Sequence, residues 1–417
     1  MKSFINLVLF LGIFIASIAY YIDSWLAMFV YNFILLLLIV LRSRISFFSL
    51  KAVICFYVLI PVFFQETTGE SIGILQVSNF SLEVLLINLI LFIYLFINLV
   101  FVNNSKILVK EKELFVKLTT LNTPALLFFS VLAILFIIIY YPPHILSNGD
   151  RFYHLLPGNF WNHLSVIFLI FTLPSIKRKK LAIIPWIFVI GWCFIKKERV
   201  DSLGLIVLLL IAMFHFEIIS KRMFYLILII FVVTFAFLGM YRIGADINGI
   251  RDAFKTVLIQ STAADIAYLL NISIHYVKDY GCAVGYTYIN YLYELLPIGT
   301  SNFDASLILN KIYGHPGGIH LLSEPYMNFG IIGVIIYSFI ECLFYSWFFR
   351  KKNKIVLFYY CFFIVSSFRY CWYGLRYIET ASVYLLPISY QIYRMFDYKR
   401  RGVYVNNKIK IQNKQIN

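Results

Sequence analysis

Residues Ser323–Lys354 read SEPYMNFGIIGVIIYSFIECLFYSWFFRKKNK. A carboxylate and a proline open the stretch, an apolar run follows, and four basic residues close it within Arg350–Lys354. Crossing the hydrocarbon of a bilayer takes about 17–25 mostly apolar residues, and the run 325–349 supplies them. Short cytoplasmic loops carry the Lys/Arg excess. The stretch therefore predicts a helix that enters the membrane from outside beside Glu324 and emerges in the cytoplasm at Arg350.

The same reading extends over the whole chain. Hydrophobic residues make up 61% of the 417 and charged residues 13%, and the mean hydropathy is +0.84. Water-soluble domains run near 25% charged, which excludes that class. Apolar runs at 4–20, 25–41, 46–64, 81–102, 119–140, 159–175, 181–195, 202–219, 223–241, 325–349, 355–370 and 378–396 predict an all-α polytopic membrane protein. The count is about twelve spans. The seventh run is short and holds Pro185, so it is expected to be tilted, kinked or partly re-entrant. After Met1-Lys2 the first run shows no small-residue cleavage site and is followed by Tyr20-Tyr21, so it reads as a retained helix.

Charge fixes the expected orientation. Arg42–Arg44, Lys106–Lys117, Lys177–Lys180, Lys221–Arg222, Arg350–Lys354 and Lys399–Arg401 all fall on one side if each run crosses once. That side is the cytoplasm, with both termini on it. The net charge of +16 is then mostly a topology signal, not a nucleic-acid footprint. Organisation follows as 1–241 (nine helices with short loops), 242–324 (one large outer loop), 325–396 (three helices) and 397–417 (a basic cytoplasmic tail).

The outer loop carries its own periodicity. RDAFKTVLIQSTAADIAYLLNISIHYVKDYG (251–281) brings Phe254, Val257, Leu258, Ala264, Ile266, Leu269 and Leu270 round at helical spacing. YTYINYLYELLPIG (286–299) is a second amphipathic piece rich in tyrosine, and 301–330 leads into the tenth run. Short helices at the outer interface are expected, with apolar faces in lipid or against the bundle.

Cations on the wrong side of the charge rule call for a ligand. Lys196, Lys197 and Arg199 lie in a tight outer turn, and Arg242, Arg251, Arg369 and Arg376 also count to the outer side. Arginine offers forked donors matched to phosphate oxygens, so an anionic ligand is the functional reading; pairing with Glu198 and Asp201 or snorkelling toward head groups is the plain one. Arg369 and Arg376, seven residues apart among aromatics, are expected on one face two turns apart. Glu324 at the membrane edge is a candidate general base, or simply an acid at a helix N-terminus. His320 and His315 are candidate bases near neutral pH. Few charges are expected in mid-span. No nucleotide loop, no metallopeptidase or hydrolase motif and no metal-ligand spacing is present, so no cofactor and no metal are expected. The six cysteines are scattered and form no disulfide framework.

The order of parts resembles the Wzy-type oligosaccharide repeat unit polymerases of bacterial O-antigen synthesis. KKERVDSLG (196–204) precedes an apolar helix, one large outer loop comes late, and Glu324-Pro325-Tyr326-Met327-Asn328-Phe329-Gly330-Ile331-Ile332-Gly333 looks like the family's E-x-Y-x-N-F-G-x-x-G segment. The likeness is one of architecture over most of the chain and of residues only in these patches. It implies transfer of a growing glycan from undecaprenyl diphosphate to an incoming repeat unit in the bacterial inner membrane. Arg199, Arg242, Arg369, Arg376 and Lys197 are then expected to hold the diphosphate, and Glu324 or His320 to deprotonate the acceptor. Tyr286, Tyr288, Tyr291, Tyr293 and Tyr313 are expected to line a sugar groove. Partners implied are the lipid-linked oligosaccharide, membrane lipids, a chain-length regulator and a flippase. An O-antigen ligase and a flippase of the same lipid-linked unit are the rival readings.

Overall fold

Uninterrupted Leu, Ile, Val and Phe runs hydrogen-bond their own backbone only as helices where no water is present. The computed structural model describes residues 2–43, 46–69, 81–104, 115, 120–143, 159–196, 198–230, 262–296, 303–314, 318–350 and 353–396. In chain order the helices are α1 Lys2–Tyr21, α2 Trp25–Ser43, α3 Phe47–Tyr57, α4 Leu59–Thr68, α5 Val84–Asn104, α6 Thr123–Tyr140, α7 Phe160–Thr172, α8 Ile184–Ile195 and α9 Arg199–His215. Then follow α10 at 221–230, α11 Thr262–Tyr280, α12 Ile289–Leu295, α13 Ala305–Tyr313, α14 Ser323–Arg350, α15 Lys354–Tyr373 and α16 at 376–396. No strand occurs among the described residues, only an isolated bridge between Ile319 and Tyr373.

Eight helices are long and apolar enough to cross a membrane: Ser3–Tyr21, Trp25–Ser43, Phe47–Thr68, Val84–Asn103, Thr123–Tyr140, Phe160–Lys177, Ser323–Trp347 and Lys354–Tyr373. They fall on eight of the runs read from the sequence. Lys180–Ile195 and Val200–His215 are shorter apolar helices. Pro185 sits in the first turn of α8, where a missing N–H leaves no bond unmade, and a 3-10 turn at Lys180–Ile183 precedes it. The ninth run is described only to residue 230, and the twelfth is α16, with a π-helical turn at Ala381–Leu385.

The chain divides into two compact units. The first comprises Met1–Glu113, Lys221–Lys352 and Ser367–Tyr377. Here α2 packs on α1, α3 and α5, and α14 lies between α5 and α11. Buried amides join the helices: Asn32 Nδ2 donates to the Asn88 carbonyl at 3.0 Å, and Asn103 Nδ2 to Asn6 Oδ1 at 2.8 Å. Such bonds between helices in lipid contribute about 0.6 kcal/mol each. The loop helix α11 is not a surface element. Ala264, Tyr268, Leu269 and Ile272 pack with Leu309 of α13 and Met327 of α14 in a core of their own.

The second unit comprises Leu114–Ser220, Asn353–Ser366 and Ile378–Asn417. Its helices α6 and α7 pack closely, and α8 packs on α6 and α9. Phe129, Phe168, Phe171, Phe358 and Tyr393 form an aromatic core with ring centroids 4.8–6.0 Å apart. Asn122 caps α6 by accepting from the Ala125 N–H at 2.9 Å.

Candidate functional site

The site is built where α14 begins. Glu324 stands in its first turn, where the N-terminal dipole favours a carboxylate. Helical geometry breaks at Phe329 (φ −141°, ψ 15°) and Gly330 (φ 60°, ψ −144°). The break frees carbonyls, and the loop after α11 takes them: Ala283 N–H donates to Met327 O at 2.9 Å and Val284 N–H to Asn328 O at 3.0 Å. Both glycines of the NFGIIG phrase follow from this. Gly330 adopts a backbone that side chains disfavour, and a Cβ on Gly333 would overlap the Pro325 carbonyl oxygen.

Glu324 is buried, with a side chain from the segment that follows α11 on each oxygen. Thr287 Oγ1 donates to Oε1 at 2.8 Å, and the Tyr291 hydroxyl donates to Oε2. Asn328, wholly buried, donates through Nδ2 to Thr287 Oγ1 at 2.7 Å and to the Glu324 carbonyl at 2.9 Å. That carbonyl accepts only, which fixes the amide orientation and leaves Asn328 Oδ1 with no partner among the described residues. Tyr288 packs near Tyr291 and Phe329 at ring separations of 6.2 and 6.4 Å. Burial pushes the Tyr288 phenol up, the Glu324 charge adds to the rise, and Asn328 opposes it.

A second layer joins the far end of α15 to this loop. Arg376 pairs through Nε with Glu294 of α12 and through Nη1 with Asp304, which also caps α13 by accepting from Ser306 N–H at 2.7 Å. Glu294 also accepts from Asn290 at 3.1 Å and lies close enough to Glu324 for their charges to interact. Burial pushes the Glu294 carboxyl up, while Arg376 and then Asn290 pull it down. Two carboxylates thus hold one guanidinium, and a third, Glu324, lies close to one of them.

The expected site residues distribute unevenly. Glu324 and Arg376 come together through Glu294. Tyr286, Tyr288, Tyr291 and Tyr293 gather on the same loop segment, where Tyr286 and Tyr293 both pack on Phe303 at 4.6 and 5.7 Å. Tyr313 lies apart, donating to Asp279 at 3.0 Å. His320 is buried; its Nδ1 accepts from Leu322 N–H at 3.3 Å, and its ring faces Cys55, not Glu324. Arg369 stacks on the Tyr373 ring at 5.5 Å.

One expectation is overturned: Arg369 and Arg376 do not share a helix face. The helix α15 stops at Tyr373, Gly374 turns the chain at φ 75°, and Arg376 starts a new helix. In the turn ahead of α9, Lys196 donates to the Pro142 carbonyl and to Pro143 O at 3.5 Å and lies 5.4 Å from the Trp192 ring. Burial pulls its ammonium down. Asp201 is buried and accepts from Asn162 at 3.1 Å and Tyr141 at 3.3 Å. Lys197, Arg242, Arg251, His315 and the Arg199 side chain lie outside the described residues.

Sequence reasoning gave no role to Glu294, Asp304 or Asn328, and it passed over an ion pair between two of the long apolar helices. Lys51 of α3, 2% exposed, pairs with Glu341 of α14, 8% exposed. Tyr94 and Tyr337 donate to Glu341 at 3.0 and 3.2 Å, and the ammonium stands 5.4–5.7 Å from the rings of Phe47, Tyr94, Tyr345 and Tyr370. A lysine and a glutamate interrupting apolar runs were the available signal. Among the described residues no group of three or more His, Cys, Asp or Glu side chains forms a metal site. Set against protein-family models, curated proteins and solved structures, the chain matches none.

Proposed function

We propose that the chain is a membrane glycosyltransferase that polymerises undecaprenyl-diphosphate-linked oligosaccharide repeat units at the outer leaflet of a bacterial plasma membrane. The reading includes about twelve spans, cytoplasmic termini and an outward-facing 242–324 segment. The observation that carries it is the setting of Glu324: a buried carboxylate at the mouth of a membrane helix, under a tyrosine-rich segment. A carboxylate so placed takes a proton from a hydroxyl, and tyrosine faces pack against sugar rings.

In the reaction, Glu324 removes the proton of an acceptor hydroxyl. The oxygen bonds to the anomeric carbon of the growing glycan. The bond from that carbon to the diphosphate breaks, and undecaprenyl diphosphate leaves with the electron pair. Outer-face arginines neutralise the charge gathering on it. The Lys51–Glu341 pair favours a second reading, a flippase for the same lipid-linked unit, because transporters keep ionisable groups inside the membrane.

Deletion of the gene followed by gel analysis of surface glycan separates the readings. A polymerase null leaves core capped by one repeat unit, and a flippase null leaves core with none. A ligase null leaves uncapped core with polymer still on its carrier.

A further inference from the structure

An arginine already held by two carboxylates makes a poor receptor for a diphosphate. Arg376 spends Nε on Glu294 and Nη1 on Asp304, and both carboxylates are more buried than the guanidinium, with side-chain exposures of 16% and 7% against 42%. An anion arriving there meets a cation already neutralised, with negative charge behind it. A neutral ligand rich in hydroxyl groups meets acceptors instead: the Glu324 carboxylate, the Glu294 carboxylate and the vacant Oδ1 of wholly buried Asn328. The Tyr291 hydroxyl, donating to Glu324 Oε2, stands where a ligand hydroxyl would donate.

We propose that the Glu324–Glu294 pair is the acceptor-sugar subsite, and that Glu294 is a positioning carboxylate held in place by Arg376. This rests on the glycosyltransferase reading and assigns Arg376 to the acceptor half of the reaction, away from the diphosphate. An incoming sugar hydroxyl takes the place of Tyr291 at Glu324, while Glu294 and Asn328 Oδ1 orient its neighbours. The charged and titratable groups facing the pair are Arg376 and Asp304 from the α15–α16 junction and the start of α13, and Tyr288 and Tyr291 from the loop and α12, while Asn290 adds a neutral amide donor to Glu294. Burial raises the Glu294 carboxyl and Arg376 is the largest opposing influence. Ionised Glu294 is therefore present above its own raised titration and is lost as pH falls through it. Removing Arg376 moves that loss to higher pH.

The test uses the full-length protein in detergent with two probes. One is the phosphate-free oligosaccharide released by mild acid from the host's lipid-linked repeat units; the other is farnesyl diphosphate. Glu294→Gln is expected to weaken oligosaccharide binding about tenfold or more, the worth of a charge-assisted hydrogen bond, and to leave farnesyl diphosphate binding unchanged. Arg376→Met is expected to shift the acid limb of oligosaccharide binding to higher pH, and Arg376→Lys to restore it. A variant misfolded by the change is recognised by parallel loss of farnesyl diphosphate binding, and Arg376→Lys then decides. Unchanged oligosaccharide binding in Glu294→Gln, or a pH limb that stays put in Arg376→Met, overturns the subsite while leaving the polymerase reading intact. Failure of the wild type to bind either probe overturns both.

Discussion

Replacing Lys51 with methionine removes one member of an ion pair that has almost no access to water. Glu341 is left 8% exposed with two tyrosine donors and no counter-charge. Methionine fills the space among the four rings, so lost packing is small and lost charge pairing dominates. Breaking a buried pair from one side costs about 3–5 kcal/mol, a large share of the ~5–15 kcal/mol that holds a typical fold. Glu341→Leu strands the ammonium and costs a similar amount. The double variant strands neither charge and is expected within about 1 kcal/mol of the wild type, since apolar replacement of a buried pair is often neutral. SDS titration of detergent-solubilised protein, followed by tryptophan fluorescence, gives the four free energies. A coupling of about 5 kcal/mol or more supports a pair that ties α3 to α14; a coupling below about 0.5 kcal/mol, the level of independent sites, refutes it.

Glu324→Gln is expected to lower polymer output about 10²–10⁴-fold with unchanged protein in the membrane; undiminished glycan ladders on a gel remove Glu324 from the chemistry. Gly330→Ala forces a side chain into a glycine-only backbone and is expected to cost about 1–3 kcal/mol, read as a lower melting temperature in detergent. Asn122→Ala deletes the α6 cap and is expected to cost about 0.5–2 kcal/mol by the same assay, with glycan synthesis retained.

The sequence displayed the helices because apolar length is a local property, and each of the eight long helices answers to one run of it. It also displayed Glu324, because a carboxylate beside a proline at a membrane edge is visible in six letters. The break in α14 was hidden, since 323–350 reads as one apolar run and only Gly330 and Gly333 hint that the backbone departs from it. Treating Arg369 and Arg376 as one face ignored Gly374 between them, a residue able to end a helix through a positive φ. Glu294 was illegible for another reason: its meaning comes from an arginine far along the chain, and only the folded loop brings the two together.

The central claim is that the Glu324 site opens on the outer side of the membrane. Cys282, in the loop laced to α14, is exposed, whereas Cys55, Cys193, Cys342, Cys361 and Cys371 are buried. The unaltered protein therefore carries its own reporter. A membrane-impermeant maleimide added to intact spheroplasts is expected to label Cys282, and Cys282→Ser to abolish the signal. Labelling that appears only in inside-out vesicles places the site in the cytoplasm and contradicts the account.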